Sequence, residues 1–223
     1  MSNTSIIMGE SGTGKSTSIR NLDPEETFII AVLNKPLPFR GYKSKYTRVS
    51  ADGLTGNYYS SMNYQHIELV LKKIDKVRPE IKTIIIDDFQ YLMCDEFMDR
   101  ALEKGYDKFS SIGQHAYNLL KLLPTLREDL DIFIMAHSEP NEDGKMKIKT
   151  IGKMLDEKIT IEGMYAMVLQ TELTNGNYHF VTQGDVRHIA KSPMGMFDHR
   201  EIPNDLAFVK AKMYEYNHED IAI

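Results

Sequence analysis

Eight consecutive residues, Gly9 to Ser16, read G-E-S-G-T-G-K-S and fit the pattern G-x-x-x-x-G-K-[ST]. Such a loop wraps a polyphosphate with backbone N–H groups, and glycines at Gly9, Gly12 and Gly14 permit positive φ and close approach. The phosphate-binding candidates are Gly9, Glu10, Ser11, Gly12, Thr13, Gly14, Lys15, Ser16 and Thr17. Lys15 would place an ammonium on the β- and γ-phosphates of a bound triphosphate, and Ser16 a hydroxyl on Mg²⁺. The loop also constrains the fold, because it needs a strand before it and a helix after it. The apolar run Ser5–Met8 supplies the strand, and a helix from Lys15 to about Asn21 would point its positive end at the phosphates.

Further along, apolar runs alternate with helical patterns. Residues 26–33 and 131–139 read as buried strands, and the three isoleucines within 82–92 as a central parallel one. Ile67, Val70, Leu71, Ile74 and Val77 recur at helical spacing on one face. Helices are expected over about Tyr91–Lys104 and Ser110–Leu122, and loops over 51–64 and 140–155. Two late strands, 166–173 and 178–183, are joined by the turn Asn175-Gly176. The class implied is α/β, a mostly parallel sheet flanked by helices with antiparallel strands at its C-terminal end. With 223 residues, 42% of them hydrophobic, the chain can bury the core of one such domain.

Ligands of such sheets bind at the carboxyl ends of the strands, where the glycine loop, Asp87 and His137 converge. Asp87 closes "IIIDD" and is the second Mg²⁺ candidate beside Ser16. Asp88 is placed to polarise an attacking water, with a helix cap or a second metal contact as its alternatives. His137 ends the next core strand and could contact the γ-phosphate. A net charge of −5 excludes a protein basic all over, so any nucleic-acid contact must be local. The lone Cys94, the start directly in a strand and the lack of a spanning apolar run lead us to expect a cytoplasmic protein without signal peptide or membrane anchor.

GTPases require N-K-x-D after a late strand. The one "NK" here, Asn34-Lys35, follows the second strand and continues Pro36-Leu37. Small-molecule kinases close an arginine-rich lid, and no arginine cluster is present. The stretches "GESGTGKST", "NKPLPF", "IIIDDFQYL", "AHSE", "KTIGKMLDEKITIEGMYAMVLQT" and "AKSPMGMF…IPNDL" together resemble the phage-type RecA-like ATPases of the "swiss army knife" annealing and recombination group. That resemblance extends over most of the chain. It implies a single RecA-like domain over residues 1–223, ATP and Mg²⁺, self-association into a ring or filament, and action on single-stranded DNA with a single-strand-binding protein.

RecA-like motors carry a catalytic glutamate after the second strand. Here that region offers Asn34, which leaves Asp88 as the substitute base. The family's DNA-binding loop follows the sensor strand, where Lys145, Lys147, Lys149 and Lys153 lie with no acid between Gly144 and Leu155. The segment Lys35–Arg48, with Arg40, Lys43 and Lys45 and the interleaved Phe39, Tyr42 and Tyr46, is a second candidate for DNA or for a neighbouring subunit. The family also donates a basic finger across the subunit interface, for which Lys191 is the best match and Arg187 the alternative. A nucleotide-dependent assembly or regulatory ATPase without DNA activity is the competing reading.

Overall fold

The computed structural model describes residues 1–152, 155 and 159–218. Its frame is a sheet of β1 (Asn3–Gly9), β2 (Thr27–Ala31), β3 (Tyr58–Ser60), β4 (Thr83–Asp87), β5 (Asp131–Pro140), β7 (Met167–Thr174), β8 (Asn177–Val181) and β9 (Glu201–Pro203), in spatial order β3-β2-β4-β5-β1-β7-β8-β9. From β3 through β7 every neighbour is parallel; β8 and β9 add antiparallel. β6 (Met146–Ile148) folds back antiparallel on the end of β5. The expected mostly parallel α/β sheet with C-terminal antiparallel strands is therefore observed.

The alternation of β4 shows why the sheet is covered on both sides. Ile84 and Ile86 enter one core, with Ile67, Leu71 and Ile74 of α2 (Tyr64–Val77) and Ile112, Leu119 and Leu120 of α4 (Asp107–Leu122). Ile85 enters the other, with Ile19, and with Leu206 and Val209 of α5 (Leu206–His218). A strand buried on both faces needs apolar residues at every position, and the isoleucine run supplies them. Asn63 caps α2 by accepting from the His66 N–H at 3.1 Å. Of the apolar face read from the sequence, Ile67, Leu71 and Ile74 are buried, whereas Val77 is exposed because the helix ends there.

Several boundaries differ from expectation. β3 lies inside the segment read as loop; three residues are too few to show alternation, and pairing with β2 makes them a strand. Between them, α1 (Tyr42–Lys45) is a single turn. α3 (Tyr91–Asp99) stops short of Lys104, and the chain reverses with Gly105 at φ +96° so that α4, starting at Asp107, packs back on α3. The expected polar loop after β5 is instead the β5–β6 hairpin. Asn175 and Gly176, at φ +53° and +80°, form the expected tight turn between β7 and β8. No described helix is long and apolar enough to cross a membrane.

Because Ile85 and Ile86 are wholly buried on opposite faces, Ile85→Ala and Ile86→Ala should each cost about 2–5 kcal/mol of unfolding free energy in urea titrations. Leu69→Ala, on the exposed face of α2, should stay within about 0.5 kcal/mol of wild type.

Candidate active site

Strand register assembles the site. Gly9 at the end of β1 pairs with His137 on β5, and β4, on the other side of β5, ends at Asp87. β5 thus stands between the glycine loop and the acidic strand, and His137 lies between Gly9 and the Asp87-Asp88 pair. Within the loop, Gly12 and Gly14 have φ of +82° and +97°. Gly9 is required for a different reason: a Cβ there would lie 2.0 Å from Thr171 Oγ1 and 2.8 Å from Thr13 Oγ1. Those two hydroxyls bond each other at 2.6 Å, and Thr13 also donates to the Glu10 carbonyl at 2.8 Å.

Lys15 is 6% exposed, and its ammonium donates to the carbonyls of Gly9 and Glu10, both at 2.7 Å. Burial pulls its pKa down to about 8, against the opposing pull of Asp88 and Asp87. Ser16 Oγ lies against Asp87, 2.8 Å from Oδ2 and 3.1 Å from Oδ1. The helix after the loop spans Ser16–Asn21 and is a 3-10 helix rather than an α-helix. It is tightened by Ser18 Oγ donating to the Lys15 carbonyl at 2.5 Å and stopped by the burial of Leu22. So short a helix adds little dipole, and the attraction for phosphate falls to the loop N–H groups and Lys15.

Asp88 leaves β4 at φ +64°, a left-handed conformation that costs a non-glycine residue roughly 1–3 kcal/mol. That turn brings its buried carboxylate back to the strand ends. Oδ1 lies 3.3 Å from His137 Nε2, and Oδ2 is ion-paired with the ammonium of Lys35. Its side chain therefore does not cap α3, whose capping position is Gln90. Gln90 instead accepts the His137 backbone N–H at 3.0 Å, and the imidazole stands edge-on to Tyr91. Burial by itself would raise the Asp88 pKa, but bonds from His137 and Lys35 outweigh it and hold the carboxyl below its usual range. Lys35 is held above its usual value, the hydrogen bond and charge of Asp88 prevailing over burial. Asp87 goes the other way, pushed up to about 6 by burial first and by the neighbouring Asp88 second.

A cleft of about 330 Å³ is lined by Gly12, Gly14, Lys15, Ser16, Asp88 and His137, with Lys35, Pro36, Pro38 and Tyr178 among its other walls. The donor set fits magnesium and a triphosphate. Ser16 and Asp87 offer hard oxygens. Among the described residues no three His, Cys, Asp or Glu converge to hold a metal alone, so the ion would share its shell with phosphate and water, as Mg²⁺ does. Glu10 and Thr13 face a neighbouring groove with Thr171, Glu172 and Arg187. Lys35 and Tyr178, which line this cleft, and Gln90 and Thr171, which hold His137 and the glycine loop from behind, are not among the sequence candidates. The Lys-Pro-Leu-Pro run after a core strand is the local signal that marks Lys35, read from the sequence with the rest of Lys35–Arg48 as a contact for DNA or for a neighbouring subunit.

The remaining candidates lie outside the cleft. Lys145, Lys147 and Lys149 lie on the β5–β6 hairpin, where Glu139 stands opposite Lys147 in the strand register and its carboxylate lies 3.9 Å from the Lys149 ammonium. Glu142 and Asp143 occupy the same hairpin, so the basic run is not an isolated positive surface. Lys153 lies outside the described residues. Phe39 packs edge-on against Tyr42 and Tyr46, and Tyr46 is buried, so these rings join the core rather than forming an open stacking platform. Lys191 bridges to Val168 on β7 through two backbone bonds of 2.8 Å, and the Arg187 carbonyl accepts from the Met146 N–H.

No protein-family model and no curated protein matches the chain. Among solved structures it is similar to the KaiC-like protein PH0186 from the hyperthermophilic archaeon Pyrococcus horikoshii OT3. The two are 12% identical over 80% of this chain and 77% of that one, with a TM-score of 0.46.

A carboxyl that binds its proton more tightly folded than unfolded costs stability above its folded pKa, and the cost fades as pH falls through about 6 toward the unfolded value near 4. In chelator-treated, nucleotide-free protein, Asp87→Asn should therefore raise the melting temperature at pH 7.5 relative to wild type. The gain should shrink on acidification to pH 5, as read by calorimetry.

Proposed function

We propose that the chain is a magnesium-dependent ATPase of the RecA-like kind. The observation that carries this reading is the convergence of Lys15, Ser16, Asp88 and His137 on one cleft at the carboxyl ends of three adjacent parallel strands, with Asp87 buried behind it against Ser16. The loop N–H groups and Lys15 would bind the β- and γ-phosphates, and Ser16 and Asp87 would hold the metal. Mg²⁺, when bound, neutralises charge on the phosphates. Asp88, ionised at neutral pH, orients the water and accepts its proton as the oxygen bonds to the γ-phosphorus and the bond to the β–γ bridging oxygen breaks. His137, positioned by Gln90 and bonded to Asp88, registers the state of that carboxylate. In phosphate-release assays Lys15→Ala should abolish turnover. Asp88→Asn should retain nucleotide binding and lose about 10²–10⁴-fold in kcat. Near-normal turnover in Lys15→Ala would overturn the assignment.

We further propose that the ATPase acts on single-stranded DNA in annealing or recombination. The observation favouring this is that the Lys149 N–H donates to the His137 carbonyl at 2.8 Å, so the lysine-bearing hairpin is bonded to the residue that faces the cleft. Since the hairpin also carries acids, DNA affinity would come from several copies aligned in a ring or filament. Lys191 and Arg187 do not line the cleft of their own chain, so a part for either in hydrolysis requires a second copy. Single-stranded DNA should raise the ATPase rate. The triple change Lys145→Ala, Lys147→Ala, Lys149→Ala should remove that stimulation and flatten the salt dependence of DNA binding while sparing ATP binding. A rate indifferent to DNA would favour an assembly or regulatory ATPase.

A further inference from the structure

Lys35 is a cation of the cleft that the hydrolysis scheme above leaves without a task. Its backbone is fixed. The segment after β2 buries Leu37 in the core, Pro36 restricts Lys35 to extended geometry, and the Lys35 N–H closes a turn on the Leu33 carbonyl at 2.8 Å. From there the side chain reaches across to Asp88 and remains 45% exposed, while Asp88 is 2% exposed. The ammonium therefore sits between a buried carboxylate and the open cleft. Lys15, the other ammonium, is tied to two loop carbonyls from within the loop itself.

Both carboxylate oxygens of Asp88 are engaged in this geometry, Oδ1 by His137 and Oδ2 by Lys35. A carboxylate so occupied has poor capacity to take a proton from water. Of its two partners, His137 is held by its backbone bond to Gln90, by its place in β5 and by the edge of Tyr91. Lys35 ends a long, half-exposed side chain and can leave. An ammonium moves readily from one carboxylate oxygen to a phosphate oxygen, because both bonds are charge-assisted and the phosphate carries more charge. Asp88 faces two lysines across the cleft, Lys15 and Lys35, and an arriving polyphosphate competes with it for both.

We propose that Lys35 is an exchangeable latch: its ammonium caps Asp88 when no triphosphate is present, and passes to the terminal phosphate when one is, which uncaps Oδ2 for the attacking water. The latch rests on the ATPase reading and extends it by naming a further phosphate contact and the means by which the base is kept idle. It makes the site discriminate triphosphate from diphosphate, since a diphosphate ends short of the group that draws Lys35 away.

The test is equilibrium binding of ATPγS and ADP, each with magnesium, to wild type, Lys35→Ala, Lys35→Gln and Lys35→Arg. Wild type should prefer ATPγS. Lys35→Ala and Lys35→Gln should each lose about tenfold or more of the ATPγS-over-ADP ratio, with ADP affinity within about twofold of wild type. Lys35→Arg should keep most of the preference. Retained ADP affinity shows in the same experiment that the variants are folded. An unchanged ratio in both neutral variants would overturn the latch and leave the ATPase reading standing. Failure of wild type to bind either nucleotide would remove both.

Discussion

The chemistry of this protein depends on the register of three parallel strands. With β5 between β1 and β4, Gly9, His137 and Asp87 end at neighbouring places on one edge of the sheet. A slip of one residue in either pairing would turn His137 or Asp87 to the opposite face. The isoleucines of β4 would accept such a slip, one replacing another, but Asp87 would not, because moved one place back it would enter the apolar core where Ile86 packs. The position of the acid is thus set by the change from apolar to charged residues at the end of the strand.

What the register brings together would be unfavourable as separate parts. Asp87 and Asp88 are both buried carboxylates, and Lys15 is a buried ammonium. Charges taken out of water destabilise a fold unless paired and hydrogen-bonded. Here the lysines, Ser16 and His137 supply the pairing. The opposite displacements of the two aspartates follow from it. Asp88, with two cationic or donor partners, stays ionised, whereas Asp87, with one hydroxyl for company, is pushed up to about 6. Adjacent residues of the same type acquire different uses because the left-handed backbone at Asp88 points its side chain toward Lys35 and His137.

The parts of this arrangement legible in the sequence were those encoded locally. Gly9 to Ser16 is a contiguous pattern, and β4 announces itself by three isoleucines followed by two acids. α2 was visible through its periodicity, and the turn at Asn175-Gly176 through its residue types. The parts that were not legible depend on pairing between distant segments. Lys35 looked like one cation in a basic run until β2 and β4 lay side by side and delivered it to Asp88. The lysines after β5 looked like a positive loop until the chain folded back as β6 and set Glu139 against Lys147. Phe39, Tyr42 and Tyr46 looked available for stacking until they packed on one another. Charge runs and aromatic spacing report composition along the chain, and composition does not show which side chains a partner segment will neutralise or cover.

The central claim is that Lys15, Ser16 and Asp87 form a magnesium-triphosphate site. The most direct measurement is a crystal structure of the wild-type protein with Mn²⁺ and a non-hydrolysable ATP analogue, located by the anomalous signal of manganese. The account predicts one strong peak per chain beside Ser16 Oγ and the Asp87 carboxylate, with the Lys15 ammonium moved from the Gly9 and Glu10 carbonyls onto phosphate oxygens. Manganese bound elsewhere, or an analogue seated away from the glycine loop, would contradict it.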